Sequence, residues 1–472
     1  MRSGQTPHRA YGAYIRGLLL ERTAELPAAL DAYQLALEYD KDSPQLHARL
    51  GATYVKLGQP VEALEEFQQA LRLDASHLEA LRWVAMLHTS QGRLDDAVAV
   101  YERLLAAQPE DRFTLSTLAD LYVLQGHLEN AVALYRRLIA EQGPSSQLHF
   151  NLGVLLGRLG QFHEALLELS RALELAPEAV EVRVALGLTY ELDGQLGRAA
   201  AHYEEAIKRD PLNPRLYHHA ARALANDGHV AQATAHYETI LELAPDDLEA
   251  IMGLVRIWIG QREFGRAERL LAHKLIELQQ PPELYVALGI LYREARQAAE
   301  ALRAFERAVE LKEDYPQAQF YLGAQLDQLG LKEAARARLH RTIELDEYHA
   351  DALNYLGYLD AEAGVNLEGA KALIERALII DPTNGAYVDS LGWVYFRMGR
   401  TQEAVATLER AAQLLDTDPV IFEHLGDVYF AQGQLERART HWQRALELDA
   451  SHIAIREKLE RITSQEAAVG TP

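Results

Sequence analysis

A unit of 34 residues, written thirteen times, limits what this chain can fold into more than any other feature it has. Counted from Ala10, the blocks begin at Pro44, Leu78, Arg112, Ser146, Val180, Pro214, Leu248, Pro282, Pro316 and Ala350. One residue is added in the eleventh block, and the last two blocks begin at Gly385 and Pro419. The eighth position is small in twelve blocks, from Gly17, Gly51 and Ala85 to Gly357, Gly392 and Gly426, and is Val255 in the other. The twentieth is alanine in every block, from Ala29 and Ala63 to Ala404 and Ala438. A unit this short cannot cover its own apolar face, so each copy must be covered by its neighbours in a stack.

Two antiparallel helices approach closely only where the side chains between them are small, which accounts for the Gly or Ala at position eight and the Ala at position twenty. Bulky residues flank these contacts, such as Leu50, Tyr54 and Phe67, or Leu186, Tyr190 and Tyr203. Glycine recurs at the fifteenth position, as in Gly58, Gly126 and Gly330, where a left-handed residue ends a first helix. Proline closes several blocks (Pro109, Pro177, Pro211, Pro245, Pro382) and stops the second helix.

The motifs LGATY at Leu50–Tyr54, LGLTY at Leu186–Tyr190, LGWVY at Leu391–Tyr395 and LGDVY at Leu425–Tyr429 carry a resemblance to the tetratricopeptide repeat (TPR) family. It covers residues 10 to about 452. It implies an all-α fold, an α-solenoid wound as a right-handed superhelix of tandem helix-turn-helix repeats. The expected organisation is a lead at 1–9, repeats one to eight at 10–281, repeats nine to thirteen at 282–452, a capping helix at 453–464 and a polar tail at 465–472. The segment Ala352 to Arg400 resembles bacterial members of the family. Block eight departs most, with Val255, Arg262 in place of the capping Gly, Lys274 at an apolar position, and an end at Gln279-Gln280-Pro281-Pro282. Block nine has Arg296 at the capping position. Repeat drift and a weak interface that lets 1–281 bend against 282–472 both account for this. The added residue, near Val365 and Asn366, is expected to lengthen a turn.

Composition and motifs then exclude whole classes of chemistry. With 69 Asp+Glu against 47 Lys+Arg the formal charge is −22, the wrong sign for a polyphosphate ligand, so no nucleic-acid partner is expected. Cysteine is absent, which removes thiolate nucleophiles, Cys-ligated zinc and iron–sulfur clusters. Gly153, Gly157 and Gly160 lie at helical spacing without Gly-Lys-Ser/Thr and are no phosphate loop. His218 and His219 are adjacent, so their rings diverge by about 100° on a helix. Paired acids such as Asp95-Asp96 and Asp246-Asp247 sit where helices start and serve as caps. No cofactor, metal site or catalytic residue is expected. The N-terminal apolar run, Gly17 to Leu20, is too short for an export signal, and no stretch suits a membrane span. The chain as written is expected in the cytoplasm, or in the periplasm or envelope if an export signal has been removed.

Function must then sit on the surface of the stack. On each first helix, positions 2, 5, 9 and 12 form a stripe separate from the packed positions 4, 7, 8 and 11. In the TPR family this stripe lines a concave groove that holds peptide segments. Its first six repeats are mostly apolar, with Tyr14 and Phe150. Repeats seven and eight are basic, through Arg215, His218, Arg222 and Arg256, and could meet an anionic partner or pair with local acids. The last four combine aromatics with polar and acidic residues: Phe320, Asn354, Tyr358, Asp389, Trp393, Phe396, Glu423, Asp427 and Phe430. These suit a peptide with apolar anchors and some Lys or Arg, or they pack against adjacent helices. The chaperone-binding members' ninth-position Asn is missing, and only Asn151 stands at the sixth position where the glycosylating members carry an asparagine ladder. The resulting expectation is a non-enzymatic scaffold. It binds protein or peptide partners in its groove and assembles a bacterial complex in envelope biogenesis, secretion or polysaccharide export. The alternative is a structural homo-oligomer built from end-to-end or convex-face contacts.

Overall fold

The computed structural model describes residues 6–460, and among these every regular element is an α-helix. Twenty-six helices run in thirteen antiparallel pairs, from α1 (Thr6–Arg22) and α2 (Leu26–Tyr39) to α25 (Pro419–Ala431) and α26 (Leu435–Leu448). Odd-numbered helices are the first of each repeat and even-numbered ones the second. Residues 453–460 form one further helix after the last pair, and Ile455 on it is fully buried against that repeat. The expected continuation of this cap to 464, the tail at 465–472 and the first residues of the lead lie outside the described residues.

The phase of the repeat sets the helix boundaries. Each of the twelve blocks after the first starts on the first residue of an odd-numbered helix, as at Pro44, Leu78, Gly385 and Pro419. Only α1 departs, starting at Thr6, ahead of Ala10. Proline stands in the first turn of α3 (Pro44–Lys56), α13 (Pro214–Asn226), α17 (Pro282–Glu294), α19 (Pro316–Gln328) and α25, where its missing N–H costs nothing. Side chains of Asn213, Asp247, Asn384 and Asp418 accept hydrogen bonds from the free N–H groups of the helices that follow them.

The small residues stand where the helices touch. A Cβ on Gly187 would lie 2.4 Å from the Tyr203 ring, and one on Gly289 2.4 Å from Phe305, so both positions require glycine. The alanines at position twenty, such as Ala63, Ala199, Ala301 and Ala404, are fully buried. Val255 breaks the rule. In its repeat, α15 (Leu248–Gly260) and α16 (Phe264–Glu277) approach each other less closely than the pairs that follow.

The chain divides into two compact units, Met1–His236 and Tyr237–Pro472. Within the first unit, first helices of neighbouring repeats meet directly, α3 with α5 (Leu78–Ser90) and α9 (Ser146–Arg158) with α11 (Val180–Leu192). Within the second, α15 meets α17, α17 meets α19, α21 (Ala350–Ala363) meets α23 (Gly385–Arg397), and α23 meets α25. Second helices of neighbouring repeats do not approach one another to this extent among the described residues. In each unit the first helices therefore line the tighter face.

The fifteenth position is left-handed in all thirteen repeats, whatever residue occupies it. Ten are glycine, and Ala24, Arg262 and Arg296 take φ of 62°, 60° and 60°. At the end of block eight, Gln279 and Gln280 are also left-handed, at 58° and 61°. With the added residue in block eleven, two residues rather than one stand between left-handed Gly364 and α22 (Leu367–Ile380), and the second, left-handed Asn366, caps the Gly369 N–H at 3.3 Å.

A left-handed side chain costs on the order of 1 kcal/mol that glycine avoids. Arg262→Gly and Arg296→Gly should each stabilise the second unit by about 1 kcal/mol, and Gly330→Ala should destabilise it by a similar amount. Urea melts of the full-length variants check this, and a glycine that lowers the midpoint contradicts it.

Candidate functional site

Helix periodicity places the stripe residues. Positions 4, 7, 8 and 11 are occupied by packing, so positions 2, 5, 9 and 12 are what a first helix presents to the tighter face. The exposed apolar residues there include Met86, Val154, Leu188 and Met252.

In the last four repeats the stripe is largely closed on itself. Phe320 of α19 is half-buried among the rings of Tyr321, His349 and Tyr355, with centroids 5.3, 4.9 and 6.3 Å away. Asn354 of α21 is half-buried, and its Oδ1 has no hydrogen-bond partner among the described residues. Trp393 of α23 is 9% exposed and stacks on the His424 imidazole of α25 at 4.1 Å and 16°. Its indole N–H donates to the Glu362 carboxylate, and Phe396 leans on it at 5.2 Å. Half-buried Tyr358 lies 6.3 Å from the same imidazole. Burial, with the carboxylates of Glu362, Asp389 and Glu423, pushes its phenol well above the usual range.

The acids of this zone have partners inside the chain. Buried Asp389 lies 2.9 Å from Nδ1 of buried His424. Burial opposes the imidazolium, but the Asp389 carboxylate, with Asp427 and Glu423 beyond it, outweighs burial and raises the ring's pKa. Lys458, from the helix at 453–460, bonds Glu423 at 2.6 Å and Asp427 at 2.7 Å. Its ammonium stays charged because these acids outweigh burial. The indole N–H of Trp442, on α26, donates to Asp427 at 3.0 Å, and half-buried Phe430 packs on that indole at 5.5 Å. The structure thus brings Tyr358, Asp389, Trp393 and Phe396 into one cluster and Glu423, Asp427 and Phe430 into a second. His424, Trp442 and Lys458 organise both, and a reading of stripe positions alone does not select them.

The basic residues are dispersed. On α13, Arg215 and Arg222 are exposed and His218 is half-buried. Arg222 grips Glu191 of the preceding repeat at 3.0 Å. Arg256 lies on α15 in the other unit, exposed, with no acid in ion-pair reach among the described residues. Around it is a feature that sequence reasoning missed, a cleft of about 380 Å³ walled by Met252, Val255, Ile259, Val286, Ile290 and Tyr321. Arg256 and Glu283 are part of its lining. Four of its apolar residues stand at stripe positions: Met252 and Val286 at five, Ile290 at nine and Ile259 at twelve. Attention to the charge at position nine hid them.

A second cleft, of about 370 Å³, lies on the stripe of the first unit, between α7 (Arg112–Gln125) and α9, lined by Val123, Leu124, Phe150 and Val154. Arg158, exposed at its edge, has no ion-pair partner among the described residues, while three other polar residues of the lining bond one another. The Tyr135 hydroxyl donates to Asp120 at 2.7 Å and accepts from Asn151 at 3.2 Å. Burial and the Asp120 carboxylate push that phenol up to about 12. Among the described residues no three His, Cys, Asp or Glu are grouped to hold a metal, and no helix is long and apolar enough to cross a membrane.

Comparison with known proteins identifies the repeats. Models described as tetratricopeptide or TPR repeat match residues 49–112, 150–214, 224–288, 286–337, 389–414 and 426–459, together more than half of the chain. A model for subunit 3 of the anaphase-promoting complex, cyclosome, matches residues 90–172. Among solved structures the chain is similar to the APC/C hetero-tetramer Cut9-Hcn1, at 15% identity and a TM-score of 0.47, over 96% of each chain. It is also similar to yeast Tom70, at 17% identity and a TM-score of 0.41, over 96% of this chain and 99% of that one. A thermophilic TPR protein of Thermus thermophilus matches at 22% identity and a TM-score of 0.35, over 39% of this chain and 98% of its own. No curated protein matches the chain.

The His424–Asp389 pair predicts a pH dependence. A histidine whose folded pKa is raised contributes stability that is full below its unfolded value, near about 6.5, and that is lost as pH rises through the folded value. Asp389 of α23 and Asp427 and Glu423 of α25 favour the charged form of the ring, and Tyr358 of α21 lies beside it. The melting temperature of the second unit should therefore fall as pH rises above neutrality. His424→Gln should flatten that slope, and parallel pH profiles for the two proteins would count against the pair.

Proposed function

The chain belongs to the tetratricopeptide repeat family, and from that premise we propose that it is a non-enzymatic scaffold that binds segments of partner proteins along the first-helix stripe. One observation carries this reading. On the tighter face of each unit the stripe keeps large apolar side chains in solvent, with Met86 45%, Val154 36%, Leu188 38% and Met252 42% exposed, and clefts open beside Val154 and Met252. A preformed surface of this kind loses little conformational entropy when a segment binds. Exposed apolar residues occur on the second helices too, singly as at Leu167 and Ile276, and at the ends of several of them, as at Leu175, Leu311, Ile380 and Leu414.

The resemblance of residues 352–400 to bacterial members of the family extends the proposal to its setting. The complex assembled is one of envelope biogenesis, secretion or polysaccharide export, with the chain acting in the cytoplasm, or in the periplasm once an export signal is removed. Fractionation of the source cells decides between the two.

Partner capture from source-cell lysate, read by mass spectrometry, tests the stripe. Val154→Glu and Met252→Glu should each weaken capture about tenfold or more by putting a charge where an apolar anchor docks, whereas Leu167→Glu on a second helix should not. Equal capture by all three variants would remove the stripe as the binding surface.

A further inference from the structure

The cleft between α15 and α17 combines an apolar floor with an exposed cation. Its floor is apolar and built: Val255 and Val286 are buried, while Met252 and Ile290 leave their side chains partly open above them. Its volume, about 380 Å³, is in the range of pockets that enclose a ligand's bulky groups. Its arginine has no partner among the described residues to neutralise it, unlike several cations on or beside the stripe. Arg222 is held by Glu191, and Arg397 donates to the Glu362 carbonyl at 3.0 Å. Arg293, beside the cleft, lies over the Tyr321 ring and within 3.6 Å of Glu294. Arg256, in the middle of α15, has no carboxylate, carbonyl or ring in reach among the described residues, although the chain carries a net charge of −22. Glu283, the other charge in the lining, stands in the first turn of α17, where the helix dipole stabilises it.

We propose that this cleft is a selective docking site for a short peptide segment that carries a bulky apolar side chain with a carboxylate close beside it. The inference rests on the reading of the stripe as the partner-binding surface and adds which segment chemistry that surface selects. The apolar side chain enters between Met252 and Ile290 onto Val255 and Val286 and supplies most of the affinity. The carboxylate accepts hydrogen bonds from the Arg256 guanidinium. A charge-assisted pair beside a dry apolar wall is stronger than one in open solvent. Selectivity comes from that pair: a lysine in place of the acid would meet Arg256 as a like charge, while an uncharged residue would leave the guanidinium in water at little cost.

Selection of short random segments displayed on phage, against the full-length chain, tests this. Enriched segments should pair an aromatic or branched aliphatic residue with Asp or Glu within one helical turn. Synthetic copies should lose about tenfold or more in affinity against Arg256→Glu, and exchange of their acid for lysine should restore most of that loss. Met252→Glu should abolish binding of the same copies. Both residues are exposed, and an unchanged helical circular dichroism spectrum confirms that the variants fold. Enriched segments that lack acids, or that bind Arg256→Glu as tightly as the parent, overturn the docking chemistry and leave the scaffold reading standing. A selection that enriches no segment at all overturns the scaffold reading itself.

Discussion

The contact between a small residue on one helix and the side chain facing it sets everything else in this molecule. Where Gly187 meets Tyr203, or Gly289 meets Phe305, no Cβ can be accommodated, so the helix pair has one spacing and one rotation about its axes. That rotation assigns the rest of the first helix. Positions four, seven, eight and eleven are enclosed, and positions two, five, nine and twelve are left facing the neighbouring first helices. The stripe is thus a consequence of the packing rule, and the exposed apolar residues on it are those that the rule does not use.

The same contact explains why the fold was legible in the sequence. A close approach repeated at a fixed phase writes itself as glycine and alanine at a fixed interval, and the block starts from Pro44 to Pro419 fall on the first residues of the odd-numbered helices. Legibility stopped where a conformation is imposed by the surroundings rather than by the residue. Arg296 is not a residue that favours a left-handed turn, yet it adopts it because the helices on both sides are fixed where Gly289 meets Phe305, and Arg262 takes the same conformation at the matching place one repeat earlier.

Stripe side chains were legible by position but not by partner. Trp393 reads as a groove aromatic until His424 from the next repeat is seen stacked on it, and Glu423 and Asp427 read as free acids until Lys458 reaches back to them. These partners lie about thirty residues away, so no local pattern announces them. The structure turns what the sequence offers as a ring of open carboxylates into two internally neutralised clusters that tie the last repeats to the helix at 453–460. Arg256 is the converse case, since the sequence supplies acids in excess and the packing brings none of them to it.

In a stack of near-identical units, residues that obey the repeat are committed to holding it together, so a surface feature particular to one place has to come from residues that depart from it. Repeats eight and nine concentrate the departures in this chain: Val255 at the small position, left-handed Arg262 and Arg296, buried Lys274 with its ammonium bonded to the Pro245 carbonyl at 2.7 Å, and the left-handed pair Gln279 and Gln280. The cleft around Arg256 lies in those same two repeats, and Val255 forms part of its floor. A valine there separates α15 from α16 and presents a branched surface to the cleft where a glycine or alanine would offer almost none. The departure that weakens the helix pair is thus also what builds the wall.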